Sequence, residues 1–245
     1  MKNKLILEKV KKYVLAFEPP KSMSKLGFFG SYAKQNIGES NDIDILVFEK
    51  KVFKNEDLII SKILQSISKE KDLDSTILNT FSDDVLSYLT AISKHLKIPL
   101  RMSLGPVINE PEEQYLHINA SFNESLWRKF IEHLPIHAHL ISTNYISIFG
   151  DKIASNKISK LDYQDYINLM DIRFKNYKIT KSYLRKTLKS LALFHNYNSV
   201  DYYNCLTYLH KIKVISDEFL LEIKEAHNEN ELLKVYNKLK LYFYV

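Results

Sequence analysis

Cysteine is nearly absent from this chain of 245 residues, which contains Cys205 alone. A single cysteine excludes an internal disulfide and leaves no thiolate cluster for structural zinc. Redox chemistry and disulfide-stapled folds are therefore disfavoured, and Cys205 is expected to be an ordinary buried thiol.

Long apolar runs are also lacking. Near the start of the chain, Glu8, Lys9, Lys11 and Lys12 interrupt every stretch that a signal peptide or a membrane span would need. The sequence therefore predicts a soluble, cytoplasmic protein with no membrane partner.

Glycine and proline are missing from the last part of the chain, because all five glycines and all six prolines lie at or before Gly150. These residues most often interrupt helices, so the composition predicts a change of architecture near this point. We expect an α/β (α+β) domain at 1–152, with a mixed sheet flanked by helices, and an all-helical domain at 153–245. The net charge of +6 lies mostly in the second part.

Strand and helix patterns in the first part support this division. Apolar residues alternate at 43–47, as in a strand, and helical stripes are expected after the N-caps Asn55 and Ser82. Further strands are predicted at 72–78 and 146–149. The alternation at 100–104 and 116–122 predicts a hairpin closed by a loop that contains Gly105 and Pro106.

Two acidic residues begin the strand at 43–47. Asp42 and Asp44 are two positions apart, so both carboxylates project from one face of the strand and can converge on a cation site. Two Mg²⁺ ions held there would activate an attacking hydroxyl and stabilise a leaving pyrophosphate. Upstream, Gly30 allows the backbone to approach a phosphate closely, and Ser31 supplies a hydroxyl.

Together these residues resemble a known signature. Phe28-Phe29-Gly30-Ser31, ten intervening residues and Asp42-Ile43-Asp44 resemble the motif of the nucleotidyltransferase superfamily, which includes DNA polymerase beta. The motif resembles that of the minimal and the antibiotic nucleotidyltransferases. The resemblance implies a magnesium-dependent transferase that uses a nucleoside triphosphate such as ATP.

The resemblance also implies a third carboxylate on a neighbouring strand, which completes the metal site and serves as general base. Asp74 is the best-placed candidate and Asp72 is the second. If the strand at 116–122 takes that place instead, the corresponding residues are His117 and Asn119, and neither is an acid.

A basic stripe is predicted in the helical part, where residues 172–200 contain no acid. On one long helix, Lys178, Lys181, Arg185 and Lys189 would share a face, away from Leu184 and Leu188. This face could bind a triphosphate or an RNA backbone, or it could be an ordinary solvated surface.

The function that these patterns favour is transfer of a nucleoside monophosphate from a triphosphate to an acceptor hydroxyl, with release of pyrophosphate. The acceptor can be an RNA 3′ end, a small molecule or a hydroxyl of a partner protein, and the basic C-terminal part favours nucleic acid. The alternative is a catalytically weak member that binds nucleotide or RNA and regulates a partner.

Overall fold

The computed structural model describes residues 2–30, 42–69, 80–102, 115–176, 178–199 and 201–244. The chain divides into two compact units, Met1–Asn156 and Lys157–Val245. Along the chain, the boundary between these units falls four residues after the division expected between 152 and 153. None of the helices in the described ranges is both long enough and apolar enough to cross a bilayer.

The first unit is built on a mixed sheet. Its described strands are β1 (Met23–Phe28), β2 (Asp42–Glu49), β3 (Leu100–Met102), β4 (Tyr115–Phe122) and β5 (Ile146–Phe149). They lie in the order β3-β4-β2-β1-β5. Strand β1 pairs antiparallel with β2 and β5, whereas β4 pairs parallel with β2 and β3. The short strand predicted at 146–149 is confirmed as β5.

Helices flank this sheet: α1 (Lys2–Ala16), α2 (Glu56–Lys69), α3 (Asp83–Leu96), α4 (Glu124–His133) and α5 (Pro135–Thr143). Asn55 caps α2 as predicted, because its Oδ1 accepts a hydrogen bond of 3.1 Å from the Leu58 amide. Ser82 occupies the N-cap position of α3, but its hydroxyl donates to Glu49 rather than capping the helix.

One face of the sheet is closed by α1 and α3. Alternate residues of β2 point into this layer, where Ile43, Ile45 and Val47 are almost fully buried. They pack among apolar side chains of the two helices, including Val14 and Leu89. Burial of this face fixes the register of β2, since a shift by one residue would move every apolar side chain to the wrong side.

The opposite face is covered at one end by an aromatic cluster from β2, β4 and α4. Trp127 contacts Phe48 and Phe122 edge-on, with ring centroids 5.7 and 5.3 Å apart, and stacks on Phe130. Asp44 belongs to this same face of β2 but lies nearer the start of the strand. The mixed sheet with flanking helices confirms the predicted α/β class of the N-terminal part.

The predicted hairpin is wrong. Leu100 pairs with Leu116 and Met102 with Ile118 in a parallel arrangement, which a tight turn cannot join. The alternating pattern identified the strands correctly but carried no information about their relative direction. The strand predicted at 72–78 lies outside the described residues.

The second unit is helical, in agreement with the absence of glycine and proline. Its described helices are α6 (Lys160–Asn176), α7 (Lys181–Phe194), α8 (Tyr202–Lys211), α9 (Asp217–Glu225) and α10 (Glu229–Leu241). Its core contains Ile167, Leu188, Leu209 and Leu239. Cys205 is buried there as expected, and its thiol donates to the Ser199 carbonyl.

Candidate functional site

The turn after β1 brings Gly30 against Asp44. Phe29 donates its amide to the Asp44 carbonyl over 3.1 Å, which extends the pairing of β1 and β2 to the edge of this turn. Gly30 then adopts φ +75°, a left-handed conformation that favours glycine. A Cβ added to Gly30 would overlap Oδ2 of Asp44, so the carboxylate lies directly over the glycine backbone.

Asp44 is held at the surface of a buried strand. Its neighbours Ile43 and Ile45 point into the core, and its own side chain is 16% exposed. This arrangement confirms that the carboxylate and the core residues occupy opposite faces of β2. A carboxylate that stays partly in contact with solvent, on a rigid strand, is available to a ligand from outside.

Only the backbone of one other motif residue is described. Asp42 begins β2, and its backbone pairs with Tyr115 of β4, but its side chain is outside the described set. The prediction that Asp42 shares a face with Asp44 therefore stays a prediction. Ser31 lies outside the described residues.

His117 is the direct neighbour of Asp44 on β4. The two residues are Cα partners in the parallel pairing of β2 with β4, and Nδ1 of His117 lies 3.0 Å from Oδ1 of Asp44. The histidine side chain is only 6% exposed. Asp44 is therefore contacted at both oxygens, by an imidazole at Oδ1 and by the glycine turn at Oδ2.

A third strand extends this row. Arg101 of β3 pairs with His117, so Asp44, His117 and Arg101 occupy successive strands on one face of the sheet. Arg101 is exposed, and its guanidinium carbon lies 5.8 Å from the centroid of the Tyr115 ring. The sequence alone did not indicate Arg101, because only the parallel pairing of β3 with β4 places it in this row.

The strand next to β2 carries no acid, since neither Asp nor Glu occurs between Tyr115 and Phe122. The sequence left open whether the strand at 72–78 or the strand at 116–122 carries the position of the third carboxylate. In the structure, the strand at 116–122 lies beside β2. His117 accordingly lies opposite Asp44. Asp72 and Asp74 are outside the described residues, so the assignment of Asp74 as general base stays a prediction.

Two described side chains would suit a divalent cation. Asp44 supplies a carboxylate on a rigid strand, and His117 places an imidazole nitrogen beside it. Among the described side chains alone, no group of three His, Cys, Asp or Glu could hold a metal. The fit therefore depends on Asp42.

The predicted basic stripe is only partly correct. Helix α7 begins at Lys181, so Lys178 lies in the segment before it rather than on the same helix. Its ammonium is 4.0 Å from Glu229. The physical reason is the extended backbone of Thr180, which interrupts the helix expected through this region.

The other basic residues of the stripe lie on α7. Lys181 donates to Nδ1 of His227 over 2.6 Å, and the guanidinium of Arg185 lies 5.3 Å from the ring centroid of Tyr202. Burial lowers the pKa of Lys189, and the nearby charges of Lys186 and Arg185 act in the same direction. Leu184 and Leu188 are buried, as the helical pattern predicted.

Residues 7–98 match the nucleotidyltransferase domain family. This match confirms the resemblance of the motif to the nucleotidyltransferase superfamily in that part of the chain. The matched segment includes Gly30, Asp42 and Asp44 but ends before β3 and β4. No curated protein matches the chain in sequence.

Proposed function

We propose that this chain transfers a nucleoside monophosphate from a nucleoside triphosphate to an acceptor hydroxyl. The observation that carries the proposal is the contact between Gly30 and the Asp44 carboxylate. The turn at Gly30 can bind a phosphate, and the carboxylate of Asp44 can bind the cation that accompanies a triphosphate. The contact places these two groups side by side. The family match of residues 7–98 supports the same reaction class.

In the proposed reaction, the acceptor oxygen attacks the α-phosphorus of the triphosphate and forms a new phosphoester bond. The bond between the α-phosphorus and its bridging oxygen breaks, and pyrophosphate leaves with that electron pair. The hydroxyl proton passes to a base, for which Asp74 is the candidate. The reaction needs no oxidant or reductant.

Each motif residue has a role in this scheme. Gly30 and Ser31 bind phosphate oxygens of the donor, while Asp42 and Asp44 would hold two divalent cations, for which the sequence predicts Mg²⁺. When bound, these cations would neutralise charge on the reacting phosphates. His117 and the bare backbone of Gly30 orient the Asp44 carboxylate, since each contacts one of its oxygens.

The C-terminal unit is proposed to take part in substrate binding. Lys178, Lys181 and Arg185 are assigned to phosphate groups of the triphosphate or of an RNA acceptor. Acceptors of three kinds are compatible with the scheme: RNA, a small molecule and a hydroxyl of a partner protein. We retain 1–152 and 153–245 as the proposed functional domains. We propose ATP as an example of the triphosphate donor and the cytoplasm as the location of the protein.

A labelled-donor assay tests the proposal. The protein is incubated with each α-³²P nucleoside triphosphate, Mg²⁺ and either total RNA or a panel of small hydroxyl compounds. Transfer appears as label on the acceptor together with an equal amount of pyrophosphate. The Asp44→Asn variant, which keeps the size of the side chain and removes its charge, should abolish both products.

A second function is favoured by the absence of acids from β4 between Tyr115 and Phe122. If Asp74 does not supply the missing carboxylate, the chain would bind nucleotide or RNA with little transfer and would act by regulating a partner. The His117→Asp variant distinguishes the two functions. It should raise transfer if a carboxylate is missing from this position, and it should not raise transfer if Asp74 already serves as base.

A further inference from the structure

We propose that His117 is a nitrogen ligand of the metal site, and that the site therefore selects a transition-metal cation such as Mn²⁺ or Co²⁺ over Mg²⁺. The inference rests on the proposed function, because it concerns the site formed at Asp44. It adds a ligand that the predicted pair of aspartates does not include, and it names the class of cation that this ligand favours.

The distance between the two side chains fits shared coordination. Nδ1 of His117 and Oδ1 of Asp44 are 3.0 Å apart. Two donors that each lie about 2.1 Å from one cation, at a right angle to each other, are separated by about 3 Å. A hydrogen bond has the same heavy-atom separation. A cation can therefore replace the shared proton without movement of β2 relative to β4.

The two donors are also fixed before any ligand arrives. They face each other in the middle of a parallel strand pair whose neighbours, Ile43, Leu116 and Ile118, are buried in the core. The side chain of His117 is 6% exposed, so its ring has few alternative positions. Fixed donors lose little conformational freedom when a cation binds, which favours coordination.

The chemistry of the donors determines the preference. Mg²⁺ is a hard cation that takes oxygen ligands, whereas imidazole is a good ligand for first-row transition metals. A carboxylate at residue 117 would complete an all-oxygen site suited to Mg²⁺. An imidazole there should improve binding of Mn²⁺ and Co²⁺ relative to Mg²⁺ by about ten-fold or more.

Metal binding, measured without substrate, tests the inference. MnCl₂ and MgCl₂ are titrated calorimetrically into the whole protein, and bound Mn²⁺ is examined by pulsed electron paramagnetic resonance, which detects a directly coordinated ¹⁴N. Wild type should bind Mn²⁺ about ten-fold or more tightly than Mg²⁺ and should show the nitrogen signal. The signal should change to that of ¹⁵N in protein labelled with ¹⁵N-histidine.

Two variants assign the signal to a residue. His117→Asp should remove the nitrogen signal and lower the ratio of the Mn²⁺ affinity to the Mg²⁺ affinity. His133→Asp, at an exposed position on α4, should leave the signal and the ratio unchanged. If His117→Asp does not fold, the spectra of labelled and unlabelled wild type decide the question alone. Bound Mn²⁺ without coupled nitrogen, or an unchanged preference in folded His117→Asp, would overturn the inference.

Failure of the inference is distinguishable from failure of the proposed function. If Mn²⁺ binds without a nitrogen ligand and Asp44→Asn abolishes this binding, only the role of His117 is lost. If wild type binds neither cation, with or without a nucleoside triphosphate, then both the inference and the proposed metal-dependent reaction are wrong.

Discussion

His117 and Asp44 lie directly opposite each other on neighbouring parallel strands, with the imidazole Nδ1 3.0 Å from the carboxylate Oδ1. Gly30 contacts the other oxygen of the same carboxylate. The candidate site thus combines the turn after β1 with β2 and β4, which the pairing of β2 with both of its neighbours brings together.

Gly30→Ala should weaken binding of a metal–triphosphate complex. The left-handed backbone of Gly30 costs an alanine about 1–2 kcal/mol, and the added Cβ would overlap Oδ2 of Asp44. Ser31→Ala should have a smaller effect, about 1 kcal/mol or five-fold in affinity, because it removes one hydrogen bond. Calorimetric titration with a nucleoside triphosphate and Mg²⁺ measures both.

Gly150→Ala is the matched control for Gly30→Ala. Gly150 has the same φ of +75°, and a Cβ there would overlap the carbonyl oxygen of Ser24 instead of a candidate ligand. This variant should lose stability but retain nucleotide affinity. Equal affinities of Gly30→Ala and wild type would contradict the role of the turn in phosphate binding.

Charge reversal on α7 should weaken binding of a polyanion. With Lys181→Glu and Arg185→Glu combined, each lost phosphate contact should reduce the slope of log affinity against log salt concentration by about one unit. The loss should be large at low salt and smaller at high salt. RNA and free triphosphate are titrated separately, so that the acceptor and the donor are distinguished.

The control for this charge reversal is Lys224→Glu combined with Lys234→Glu, which makes the same change in net charge at two exposed positions of the second unit. It should reduce affinity much less. If the two double variants lose the same affinity for RNA and for free triphosphate, α7 contributes only to the net positive charge of the protein. The preference for a nucleic-acid acceptor would then lose its support.

Glu49 should be important for the stability of the first unit. This carboxylate is 1% exposed, accepts the amide hydrogen of Ser82 over 3.1 Å at the start of α3, and lies 3.8 Å from the Lys51 ammonium. Glu49→Ala should reduce the free energy of unfolding by about 1.5–3 kcal/mol, because it leaves the partly buried Ser82 amide without its charged partner.

Urea unfolding followed by the fluorescence of Trp127, the single tryptophan, reports on this unit specifically. Glu124→Ala is the control, since the carboxylate of Glu124 is exposed and its ion pair with Lys25 should contribute less than about 1 kcal/mol. Equal effects of the two substitutions would show that burial of Glu49 has no energetic consequence.

The first unit should lose stability at alkaline pH. Burial raises the pKa of Tyr88 to about 12 and raises that of Tyr145 further. The unfolded chain releases these protons near the ordinary value of 10.0, so between that pH and the folded pKa the folded state binds more protons, and its stability falls as pH rises.

Lys51 acts in the opposite direction below its ordinary value of 10.5, because burial lowers its pKa. Urea unfolding monitored through Trp127 at pH 8 and pH 11 should show a decrease, and Tyr145→Phe should make that decrease smaller. An unfolding free energy that is the same at both values in wild type would contradict the burial of these phenols.

Local features of the fold were predictable from the sequence. Asn55 caps α2 through its own side chain, and Asp44 alternates with Ile43 and Ile45 along β2, so three to five neighbouring residues contain all the information needed. The family signature is of the same kind, because Gly30 lies in the turn after β1 and Asp44 lies in β2, the next strand along the chain.

Long-range pairing was not predictable in the same way. The direction of β3 relative to β4 depends on a connection of twelve residues and on the sheet around it, neither of which alternation encodes. The contact of His117 with Asp44 and the place of Arg101 beside His117 follow from that pairing. The break before α7 at Thr180 was missed because neither glycine nor proline marks it.

The most direct test of the account is the transfer reaction itself, measured as label moved from an α-³²P nucleoside triphosphate to an acceptor and as pyrophosphate released. Wild type should form both products in equal amounts with a divalent cation present, and chelation of that cation should stop the reaction. Asp44→Asn should reduce the rate by a factor of about 100 or more while Trp127 fluorescence reports an unchanged fold. Transfer that persists at the wild-type rate in Asp44→Asn, or in the presence of a chelator, would contradict the assignment of this site.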